Sequence, residues 1–186
     1  MTILDPDLPS AEKILDFWFS AGSKKWFTRN DRFDEDIRRQ FLPLYCEAAK
    51  GNVDTWSGSA EGMLALIIVL DQFSRNLHRN SPLAFAADEK ALGLSRTAIE
   101  QHFDIEFPSS VRSWFYMPFM HSEKLEMQET SVRLFSTIDD KGNLKAALTH
   151  RDIIRKFGRF PHRNKALGRC SRPEELEFLA TGGFSG

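Results

Sequence analysis

The chain has 186 residues, 41% of them hydrophobic and 27% charged, the composition of one globular folding unit with room for a substantial core. A formal net charge of -1 removes any global attraction to nucleic acid or to a membrane surface, so an electrostatic function has to come from a local patch. Two cysteines, Cys46 and Cys170, lie far apart without Cys or His at ligand spacing, which argues against a disulfide framework or a zinc knuckle and fits a reducing compartment. The start Met1-Thr2-Ile3-Leu4-Asp5-Pro6-Asp7 lacks the basic and apolar stretches of a signal peptide, and the longest apolar run, Met63 to Leu70, is too short to span a bilayer. The expected location is the cytoplasm.

Helix punctuation recurs along the chain. Ser10 is placed to cap a helix carrying Ile14, Leu15, Trp18 and Phe19, closed by Gly22. A second helix is expected from Asn30 or Asp34 to Lys50, stopped by Gly51-Asn52 and bent or interrupted by Pro43. Ser59 opens a third, from about Ala60 to Asn76, apolar on nearly every side and therefore buried at the centre. Ser81-Pro82 reads as a fourth start, and Pro108-Ser109 begins an aromatic helix with a bend at Pro118. Helices then follow from Ser122 to Ile138 and from Asn143 to Phe157, with Lys141-Gly142 as the turn between them. A short last helix starts at a Ser171-x-x-Glu174 capping box.

No segment alternates with period two long enough for a strand, so the expected fold is all-α, a single domain over residues 1–186 built as an antiparallel bundle of about seven to nine helices. Sixteen Phe and four Trp have to be buried in it. The tail 181–186 is small and glycine-rich and is expected to be mobile.

Three polar clusters interrupt apolar segments. In Leu70-Asp71-Gln72-Phe73-Ser74-Arg75-Asn76, Asp71 and Arg75 share a helix face, either as an intrahelical ion pair or as the wall of a pocket in which Asp71 orients Arg75. Tyr116-Met117-Pro118-Phe119-Met120-His121-Ser122-Glu123 puts His121 and Glu123 at a helix start, where they are structural or form a proton-transfer pair. From His150 to Arg172 there are eight Lys or Arg against one acid, Asp152. Arg151, Arg155 and Arg159 form a stripe of guanidinium forks if the helix continues through Gly158. The competing reading pairs these arginines with the acid excess elsewhere. No nucleic-acid motif accompanies the patch, and the pI is near 6.5. His150-Arg151-Asp152 resembles a kinase catalytic loop only in three letters, because Phe157 stands where the metal-binding Asn belongs.

Together with Ile14-Leu15-Asp16-Phe17-Trp18-Phe19, these motifs, the last running from His150 through Phe160-Pro161-His162-Arg163-Asn164, resemble a bacterial family known only as a domain of unknown function. The resemblance spans nearly the whole chain and implies a helical fold of the tetratricopeptide-like superfamily. It implies no activity, cofactor or functional residue.

Two functions are therefore derived from side-chain chemistry. The first is a helical binding module in which Asp71, Arg75, Asn76, Arg151, Arg155, Arg159, His162, Arg163 and Asn164 hold an anionic small molecule or a peptide carboxylate. The second is a hydrolase or transferase for a phosphorylated or carboxylated metabolite. In it His121 or His150 moves the proton, and Glu123, Asp71 or Asp152 orients it. A third, purely structural reading has the polar motifs lock helix ends together. No metal-ligand spacing links His121, Glu123, His150, His162 and Asp71, so neither metal nor cofactor is expected. Partners are confined to an anionic small molecule or peptide, without nucleic acid or membrane, in an unassigned oligomeric state.

Overall fold

In the computed structural model, which describes residues 7–184, Ser10 acts as the sequence predicts. Its hydroxyl accepts from the Lys13 backbone N–H at 3.3 Å, and α1 (Ala11–Ala21) ends at Gly22 with φ 75°. A single turn, α2 (Ser23–Trp26), follows. Asn30 caps α3 (Asp31–Lys50), which continues through Pro43 without interruption and ends at the left-handed Gly51. Pro43 is exposed on this helix, so the ring that removes a hydrogen-bond donor also lies in solvent rather than in the core.

Ser59 opens the central rod. It consists of α4 (Ala60–Ile67), a π-helical segment (Ile68–Phe73) and α5 (Ser74–Leu77), and every residue from Gly62 to Asp71 is buried. Gly62 is required here, because a Cβ would stand 2.1 Å from the Trp56 carbonyl oxygen of the preceding 3₁₀ turn. A π turn inserts one residue into the helical repeat and is often found at functional positions; this one carries Asp71.

Ser81-Pro82 starts only a 3₁₀ turn (Pro82–Phe85), and the helix the sequence placed there, α6 (Asp88–Glu100), begins six residues later. α7 (Ser109–His121) runs through Pro118 to His121. α8 (Leu125–Phe135) is shorter at both ends than its pattern implied. Asp140 caps α9 (Lys141–Phe157), so Lys141-Gly142 lies in the first turn of a helix rather than between two helices. Glu175, not Glu174, reaches back to the start of α10 (Pro173–Ala180), its carboxylate accepting from the Arg172 backbone N–H at 2.7 Å. No strand occurs among the described residues, and the fold is an all-α bundle. No described helix is long and apolar enough to cross a membrane. The last two residues of the tail lie outside the described residues, whereas the Phe184 ring meets His150 and His162.

The aromatic excess explains the core. Trp18, 1% exposed, stacks edge-on to Trp114 at 5.1 Å and packs on Trp26, Phe33 and Phe73. α1 also packs on α4, and α6 packs on α7, α7 on α8 and α8 on α9. Offset and edge-on pairs of this kind add to the burial energy of each ring. We expect Trp18→Ala to lower stability by about 3–5 kcal/mol, read as a fall in the urea midpoint at unchanged m-value.

Candidate functional site

The far end of the rod meets the last turn of α7 and the segment after α9 around a cavity of about 410 Å³. Its charged lining is Arg29, Arg75, Arg79 and Arg163, with no carboxylate; His121, His150 and His162 complete the polar wall, and Phe85 and Phe184 supply rings.

Asp71 lies behind this wall with no exposed surface. The His121 Nδ1 sits 2.8 and 2.9 Å from its two oxygens, and Gln72 Nε2 donates to Oδ2 at 2.5 Å. Arg75 approaches the same carboxylate at 3.4 Å. Burial pushes the Asp71 carboxyl up, but His121, Arg75 and the hydrogen bonds together hold it well below the usual carboxylate range. Burial, helped by Arg75, depresses His121 despite the pull of Asp71. A neutral imidazole that donates from Nδ1 carries its lone pair on Nε2.

Asp88 joins two arginines. Arg75 reaches it at 3.1 Å and Arg163 at 3.2 Å. Arg163 also donates to the His121 carbonyl oxygen at 2.9 Å, and its guanidinium lies 4.6 Å from the ring centres of both Phe85 and Phe160. Burial and the nearby Arg75 lower Arg163 to about 10, so it stays charged at neutral pH. His150 donates from Nδ1 to the Ala146 carbonyl oxygen at 2.8 Å. Burial lowers His150 to about 4, and burial together with Arg163 and His150 lowers His162 to about 3.

The structure brings Asp71, Arg75, His121, His150, His162 and Arg163 to one place. It takes the other sequence candidates elsewhere. Glu123 accepts from Arg169 at 2.7 and 3.0 Å and from the Phe160 N–H at 2.8 Å, so it clamps the segment after α9 rather than pairing with His121. Asn76 donates to Asp34 at 2.7 Å and ties α5 to α3. Asn164 binds Ser171, Glu175 and Arg169. The arginine stripe does not form, because Gly158 turns left-handed with φ 71° and ends α9 before Arg159. Arg151 pairs with Asp152, neither of them lining the cavity, Arg155 pairs with Glu129 of α8 at 2.5 Å, and Arg159 pairs with the buried Glu175 at 2.7 Å. Most of the basic motif is thus a set of clasps, and only Arg163 of its arginines lines the cavity.

Arg29, Arg79, Phe85, Asp88 and Phe184 were not legible as site residues. Arg79 repeats the four-residue spacing from Arg75, but it follows the end of α5 and is held by Asp34. Neither Asp88, at the start of α6, nor Phe184, in the glycine-rich tail, carries a local signal. No group of three His, Cys, Asp or Glu among the described residues is arranged to hold a metal ion, and Cys46 and Cys170 are free and exposed.

A helical bundle with an arginine- and histidine-lined cavity at one end is the class that fold and site define. The chain belongs to the family described as bacterial protein of unknown function (DUF924), whose model matches residues 14–183. A solved structure of a protein of unknown function from Agrobacterium tumefaciens is similar, with 38% identity and a TM-score of 0.89 over 92% of this chain and 97% of that one. Among curated proteins none matches.

His150 and His162, held neutral by burial, make stability pH-dependent. In the unfolded chain they take protons near pH 6.5, in the fold only near 4 and 3, so stability is full above about pH 6.5 and is lost as pH falls towards 4. For His150 alone the loss is roughly 3 kcal/mol, at ~1.4 kcal/mol per unit. We expect thermal melts to show this fall and His150→Phe to reduce it, with the His162 share remaining.

Proposed function

We propose that the cavity binds a small molecule through an anionic phosphate or carboxylate group. The observation that carries this reading is the lining itself: four guanidinium groups and no carboxylate face one cavity. Asp34, Asp71 and Asp88 hold Arg79, Arg75 and Arg163 from behind, and Asp31 pairs with Arg29 at the surface. Guanidinium groups fixed in this way offer directed donors to oxyanions, and charge-assisted bonds of that type are the strong ones. Successive packed helix pairs support a tetratricopeptide-like arrangement, with the proposed ligand at the end of the bundle rather than along a concave face.

A ligand that binds the native state raises its melting temperature by mass action. We expect inorganic phosphate to do so. Arg29→Gln, at an exposed pair with Asp31, combined with Arg79→Gln, which keeps a hydrogen-bond donor for the buried Asp34, should weaken phosphate binding by about tenfold or more, since each charge-assisted bond is worth roughly 1.5–3 kcal/mol. Arg155→Ala should leave it unchanged, because Arg155 pairs with Glu129 outside the cavity lining. Equal binding by the double variant would sink the reading.

The Asp71–His121 pair supports a second reading, a hydrolase or transferase. Asp71 fixes the imidazole through Nδ1, and His121 lines the cavity among the arginines. Nε2 is then the base that takes a proton from water or from a substrate hydroxyl, while Arg75 and Arg163 face the developing negative charge. If 4-nitrophenyl phosphate is turned over, His121→Asn should cut kcat by on the order of 100-fold or more while leaving phosphate binding intact. Retained kcat in that variant would assign His121 to structure.

A further inference from the structure

Resting on the anion reading, the other wall of the same cavity identifies what the anion is attached to. The contacts order the site from one end to the other. Arg75 and Arg163 share the Phe85 ring, at 5.7 and 4.6 Å. Arg163 also covers Phe160 at 4.6 Å, whose ring meets His150 at 5.3 Å and His162 at 5.5 Å. Those two imidazoles converge on Phe184 at 4.5 and 5.0 Å. One end is therefore cationic. The other is built of flat rings with Ala166 beside them, and it carries no charged side chain.

A bare oxyanion would leave that second end empty, and the cavity, at about 410 Å³, lies in the size range of sites for small organic molecules, about 300–1,000 Å³. A long aliphatic chain would gain contact area there but none of the offset and edge-on geometry that rings favour. The Nδ1 bond from His150 to the Ala146 carbonyl oxygen fixes the orientation of that imidazole in the wall. The depressed proton affinity of both histidines agrees with a wall that does not repel an uncharged aromatic group. We propose that the natural ligand is an aromatic or heteroaromatic anion, its phosphate or carboxylate on Arg75, Arg79 and Arg163 and its ring against His150, His162 and Phe184.

Phe184 permits a test that leaves the arginines in place, because it lies in the tail after α10, meets the rings of the two histidines and packs on the apolar cluster of Ile153, Ile154, Phe157 and Phe160. Calorimetric titration compares methyl phosphate with phenyl phosphate, which share one charge and differ in the ring. The wild-type chain should bind phenyl phosphate at least tenfold more tightly. Phe184→Ala should reduce that advantage to threefold or less and leave methyl phosphate unchanged, with the helical circular dichroism intact. Equal affinity of the two esters for the wild-type chain would overturn the proposal while keeping the anion site. Tighter phenyl phosphate binding by Phe184→Ala would also overturn it, since Phe184 would then be a plug rather than a wall. If neither ester nor inorganic phosphate binds, the anion reading itself is wrong.

Discussion

The site depends on one buried carboxylate. Asp71 has no contact with solvent, and a charge taken so far from water is tolerable only if it is paired and hydrogen-bonded on most sides. Its partners come from two directions, His121 at the end of α7 and Arg75 one turn further along the rod. That requirement fixes how α7 ends against the rod. It also fixes where Arg163 can sit, because Arg163 bonds the carbonyl of the same His121. The face of the cavity made by Arg75, His121 and Arg163 is thus arranged around Asp71.

A second set of ion pairs keeps the segment after α9 against the bundle. Glu175 is fully buried and takes Arg159, Arg172 and Asn164 at once, while Glu123 takes Arg169 and the Phe160 N–H. These bonds fold the chain back after Gly158, which brings Phe160, His162 and Arg163 to the cavity. Breaking a buried pair leaves an uncompensated charge, so the clasp positions the site without touching any ligand.

Much of the fold was legible because helix boundaries have local causes. Ser10, Asn30, Ser59 and Gly51 act through their own backbone neighbours, and a reader of sequence sees those neighbours. The errors fall where tertiary structure outweighs the local signal. Ser81-Pro82 supplies a valid cap but the chain makes a single 3₁₀ turn before α6, and Pro43 is accommodated because it faces solvent. The site was legible in half. Asp71, Arg75, His121, His150, His162 and Arg163 stood out as polar groups inside apolar segments. The expected stripe of Arg151, Arg155 and Arg159 failed on one backbone angle, at Gly158, which sequence periodicity does not encode. Asp88 and Phe184 reach the site only through long-range packing, and nothing beside them in sequence distinguishes them.

The position of Arg163 bears on the cost of association. A guanidinium on an exposed chain must give up rotamer freedom when it grips an anion, and that loss is subtracted from affinity. Arg163 is held flat between Phe85 and Phe160 and tethered to Asp88 and to a carbonyl. Its freedom was surrendered during folding, when the aromatic core closed around it. A ligand entering the cavity meets a receptor that has already been ordered, and the folding energy of the bundle is what keeps it so.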